Sequence, residues 1–79
     1  MLTIRKMREK RNFESFYQRE GCFALFPPIE LRCKNNLGII AKGEVVSAIA
    51  VDENGMYPNT VYLREKHRWF SLEYFDFIN

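Results

Sequence analysis

From Cys22 onward the chain reads as short strands separated by turns. Residues 29–34 alternate Ile29, Leu31 and Cys33 with Glu30, Arg32 and Lys34, the pattern of a strand with one buried face. Residues 44–51 give the longest expected strand, with Val45, Ser47, Ile49 and Val51 on one side and Val46, Ala48 and Ala50 on the other. Small side chains on that second side imply that a neighbouring element comes close. Turn residues punctuate the pattern at Asn35-Asn36, Lys42-Gly43, Asp52 to Gly55 and Lys66 to Arg68. Strands are therefore expected over 22–26, 29–34, 44–51 and 60–65, with a short apolar run at 37–41 and a last strand at 75–78. Pro27-Pro28 should end the first of these, because a central strand does not tolerate proline. A chain of 79 residues, 47% of them hydrophobic, has the core of one small domain, 1–79.

The first 20 residues read differently. They hold six basic and three acidic side chains, a net of +3, whereas residues 21–79 hold six and seven, a net of −1. Ile4, Met7, Phe13, Phe16 and Tyr17 recur at spacings that fit one side of a helix, with Arg5, Arg8, Lys10, Arg11 and Arg19 elsewhere on its circumference. Asn12 suits an N-cap and Gly21 a helix stop, so 13–20 is expected to be helical. For residues 3–11 a helix competes with an edge strand over 2–7. The expected division is a basic helical segment at 1–20 and a sheet domain at 21–79.

Catalytic classes find little support. Catalysis needs several positioned groups converging in a pocket, and the one histidine, His67, sits in a Lys-His-Arg turn. Cys22 and Cys33 lie in apolar stretches, the setting of inert buried thiols. A structural zinc site fails on ligand count, the Asp52–Gly55 turn lacks the spaced oxygens of a calcium loop, and there is no glycine-rich phosphate loop. No enzyme, metal or cofactor is expected. The basic start is followed by NFESFYQRE rather than by an apolar stretch, no window has the apolar length of a membrane span, and two cysteines are too few for a secreted scaffold. A cytoplasmic location is the expectation.

The C-terminal order is specific enough to compare with a family. RWFSLEYFDFIN resembles the Trp-Phe, Ser, Tyr, apolar close of SH3-type barrels, where a 3₁₀ turn precedes the final strand. The stretch from Leu37 through Lys42-Gly43-Glu44 to Val51-Asp52 and Gly55 looks like small SH3-like barrel proteins often encoded by phages. The resemblance covers roughly residues 29–79 and rests on turn glycines and core aromatics. It implies an α+β fold, an N-terminal helix packed on a five-stranded SH3-like antiparallel barrel. It also implies a small regulator or inhibitor that binds a host protein. The acidic and aromatic loop pattern with which signalling SH3 domains hold proline-rich peptides is not evident, so that activity is not carried over.

Two surfaces are candidates for binding. Arg5, Arg8 and Arg11 could contact phosphates, against the plain reading of a solvated helix face. The aromatic residues of the last 23 positions cannot all be hidden in so small a domain, so a surface patch is expected that includes Tyr57 or Tyr62, with Trp69 in or beside the core. The leading expectation is non-enzymatic binding of a protein partner; the alternative is a nucleic-acid module using the basic helix and the aromatics. A net charge of +2 argues against a DNA mimic, and a homodimer is a third reading.

Overall fold

The computed structural model describes residues 2–16 and 19–78, without the Phe16 side chain. The order is α1 (Ile4–Lys10), β1 (Asn12–Phe16), β2 (Arg19–Cys33), β3 (Val45–Asp52), β4 (Thr60–Leu63), β5 (Arg68–Ser71), a 3₁₀ turn (Leu72–Tyr74) and β6 (Phe75–Phe77). The strands form one antiparallel sheet in the order β1-β2-β3-β4-β5, and β6 pairs with β2. The expected α+β architecture, a helix on a five-stranded closed barrel, is overturned. The described residues form six strands and a helix of seven residues, and among them the sheet stays open. The β1–β2 hairpin is the reason: β1 occupies the edge of β2 beyond the three pairs that β6 makes, and β5 ends the path with its outer edge unpaired among the described residues.

The helix expected at 13–20 is a strand and the start of its partner. Aromatic and short polar residues have modest helix propensity, and pairing Phe13 with Leu25 puts the ring against the core while Asn12 and Glu14 stay exposed. Tyr17, placed on that helix by its spacing, lies outside the described residues. Of the two readings for residues 3–11 the helix holds: it spans Ile4–Lys10, where Thr3 Oγ1 accepts from Lys6 N at 3.1 Å and Ile4 and Met7 bury one side. Gly21 is inside β2, not at a helix end. Its φ of +85° is left-handed, and a Cβ there would meet Gly55 N at 2.6 Å, so the packing of β2 on the 52–55 turn demands glycine.

Pro27-Pro28 does not end the strand either. β2 runs through both prolines because they sit in a bulge: between the pairs Ala24↔Ala50 and Ile29↔Ala48, four residues of β2 face Ile49 alone. Proline's missing N–H does no harm where the ladder is already interrupted. The bulge also splits β3. Val46 and Ala48 point into the core before it and Val51 after it, so Ala50 faces the other side of the sheet, not the side of Ala48. The core joins these residues to Leu25, Leu31, Val61, Leu63, Phe75 and the inner side of α1. No described helix is long and apolar enough to cross a membrane.

Candidate functional site

The register builds a surface feature on the face of the sheet away from the core. Ala24 pairs with Ala50, Ala50 with Tyr62, and Tyr62 with Trp69, so these residues form a straight row across β2, β3, β4 and β5. Residues paired directly across strands project to one face. Two alanines followed by two large aromatics therefore make a low floor beside a high wall. Tyr62 and Trp69 stand edge to face, ring centroids 5.3 Å apart. The bulge supplies the other side: Phe26, which is 50% exposed, Pro28 and Ile49 rise around the alanine floor. The result is an open apolar groove of about 550 Å³.

Its charged groups are two arginines. Arg19, at the start of β2, lays its guanidinium over the Trp69 ring at 4.9 Å. Arg64 follows β4, where its N–H donates to Ser47 O at 2.9 Å, and its exposed side chain borders the groove. Their backbone positions fall on opposite sides of the Ala24–Ala50–Tyr62–Trp69 row, while the Arg19 guanidinium reaches the Trp69 wall. Neither forms an ion pair among the described residues. The groove is thus an apolar floor with one arginine over its aromatic wall and a second on its border.

Of the residues singled out in the sequence, Tyr62 and Trp69 meet here. Trp69 is not core but the outer wall, and Phe70 takes the core position beside it. Tyr57 is 54% exposed on the loop between β3 and β4, next to Met56 at 77%, and does not reach the groove. Arg5 is exposed on α1. Arg11 donates through Nε to Pro28 O at 3.4 Å and through Nη1 to Lys10 O at 2.9 Å. Arg8 has an internal partner: its two guanidinium nitrogens hold the Glu53 carboxylate at 2.9 and 2.7 Å, and it stacks over Phe13 at 4.5 Å. The three arginines do not form one free basic patch.

The Arg8 hydrogen bonds hold the Glu53 carboxyl below the ordinary glutamate range and push the guanidinium higher. A carboxyl lowered on folding stabilises the fold above the unfolded glutamate value of about 4.3, and that contribution is lost as pH falls through the lower folded value. Both side chains are more than a third exposed, so solvent screens the pair. A double-mutant cycle with Arg8→Ala and Glu53→Ala, read by urea unfolding, should give a coupling of about 0.2–1 kcal/mol at pH 7. It should fade in high salt and below about pH 4.

Sequence reading missed Arg19, Phe26, Pro28, Ile49 and Arg64 as site residues. The available signal was Pro27-Pro28 between two strand patterns: proline within a sheet marks a bulge or an edge, and this bulge brings Phe26, Pro28 and Ile49 together. His67 lies in the turn before β5 with φ of 54°. Cys22 and Cys33 are buried free thiols, and burial, then the Asp52 carboxylate, push the Cys22 thiol above its usual range. No group of three or more His, Cys, Asp or Glu side chains suited to a metal occurs among the described residues. No protein family matches the chain, and no curated protein or solved structure does so.

Proposed function

We propose that this protein is a protein-binding module and that the groove over Ala24 and Ala50 is its working surface. The partner offers an apolar side chain to the alanine floor, with carboxylates on either side to meet Arg19 and Arg64. The observation that carries this reading is the combination of an aliphatic floor, an aromatic wall and two lining arginines that form no ion pair among the described residues. Arginine and large aromatics are the residue types that most often anchor protein interfaces. Charge opposite charge sets orientation and speeds encounter.

The same groove is less suited to nucleic acid. Base stacking uses open ring faces on successive aromatics. Here Arg19 already covers Trp69, and Tyr62 meets Trp69 edge-on. Arg8, counted among the phosphate contacts, is held by Glu53.

The test starts with a displayed library of random peptides panned against the protein. Enriched peptides should carry a large apolar residue between Asp or Glu residues. Trp69, the one tryptophan, should change its fluorescence as such a peptide binds. With labelled peptide, Trp69→Ala and the charge reversal Arg19→Glu/Arg64→Glu should each weaken binding at least about tenfold, the scale of losing an interface anchor. Peptides enriched without acidic residues, or equal binding by the reversed variant, would overturn the proposal. Tight, salt-sensitive binding of a labelled single-stranded oligonucleotide instead would favour the nucleic-acid alternative.

A further inference from the structure

We infer that the free edge of β5 pairs with the same edge of a second copy of this chain, giving a two-fold symmetric dimer built on Trp69 and Ser71. In an antiparallel ladder the backbone N–H and C=O groups of successive residues point alternately to the two sides. Two bonds fix the alternation here. Arg64 N donates back to Ser47 O in β3, so Val61 and Leu63 direct their groups to β5. Leu72 N donates to Asn59 O, so Leu72, Phe70 and Arg68 direct theirs to β4. The N–H and C=O of Trp69 and Ser71 are left facing outward, where the path of strands ends.

These two residues fit each other across a two-fold axis. An axis through Phe70 sets Trp69 of one copy opposite Ser71 of the other, and each opposed pair exchanges two backbone hydrogen bonds. All four outward donors and acceptors are then used on both copies. The small Ser71 side chain leaves space for the indole opposite it. Charge agrees with this orientation. Arg68 lies at one end of β5 and the exposed Glu73 just past the other, so antiparallel pairing brings each Arg68 towards Glu73 of the other copy. Parallel pairing would instead set Arg68 beside Arg68. Neither side chain has an ion-pair partner among the described residues. A short open edge on a sheet is a template for this kind of contact unless something covers it.

One variant acts chiefly on the edge, losing besides only the exposed hydrogen bond that Ser71 Oγ donates to Glu73 Oε2 at 3.1 Å. Ser71 has φ of −63° and ψ of 138°, angles that proline adopts without strain, and its N–H is not used inside the chain's own ladder. Ser71→Pro should therefore keep the unfolding transition of the parent and remove two of the four bonds of the dimer. The measurement is sedimentation equilibrium of the full chain from about 1 μM to about 1 mM, the span of weak to moderate affinity. The parent should pass from monomer to dimer in that range, and Ser71→Pro should raise the dissociation constant at least about tenfold. If Ser71→Pro does not fold, Arg68→Glu should weaken the dimer and Arg68→Glu/Glu73→Arg restore it. A parent that stays monomeric throughout, assembles beyond a dimer, or dimerises equally well with these substitutions would overturn the inference.

Discussion

Replacing Phe75 with alanine should cost about 3–5 kcal/mol, the range for removing a fully buried aromatic ring. At the roughly 0.05–0.15 kcal/mol per residue typical of small domains, that is a large share of the total stability of this chain. Phe75 is 0% exposed, meets Phe70 edge to face at 6.3 Å and pairs with Cys33 on β2. It anchors the last strand in the core. Urea unfolding should show a midpoint near zero denaturant for Phe75→Ala, against a well-separated transition for the parent. A loss below about 1 kcal/mol would mean that β6 does not hold the core together.

Asp52→Ala is the second large expected loss, at about 2–4 kcal/mol. Asp52 is the one fully buried charged side chain among the described residues. Its Oδ1 accepts from Gly55 N at 2.6 Å and its Oδ2 from Tyr57 N at 3.0 Å. One carboxylate thus shapes the whole loop between β3 and β4, while Asp52 O accepts from Asn59 N at 2.8 Å where the loop returns. Alanine leaves two amides without acceptors, each costing about 1–3 kcal/mol if water cannot reach it. Asn keeps the shape but offers one acceptor oxygen, so Asp52→Asn should fall between parent and alanine. The same urea series tests both, with equal m-values confirming that the native fold is the one being lost. Two variants as stable as the parent would show that water replaces the carboxylate in the turn.

The central strands and the close of the chain were legible because their physics is local. Ile29, Leu31 and Cys33 alternate cleanly with polar residues and do fill the core, and Asp52 to Gly55 does turn the chain. The single turn at Leu72–Tyr74 and the short strand after it follow from Ser71 to Phe75 in the same way. Residues 13–20 were misread because Phe13 and Phe16 fit a helical face as well as a strand when so few residues are compared, whereas the helix over 3–11 does form. What decides for a strand is pairing with Leu25 and Ala24, which is invisible until β2 is known to extend back to Arg19. The groove was half legible. Tyr62 and Trp69 stood out as aromatics, but the floor depends on the bulge that turns Ala50 away from Ala48, and alternation alone carries no sign of that reversal.

β2 is the spine of the molecule: its first half carries β1, its second half β6, and its other edge β3. That sharing has a kinetic consequence. Leu31 meets Val46 and Phe77, partners far away along the chain in the same direction, so neither half of β2 gains its contacts from a nearby hairpin alone. Closing such large loops costs entropy before the contacts repay it, which slows folding relative to a helical chain of equal length. β1 and β6 pair with no described strand but β2, so both lose their ladders once β2 lets go.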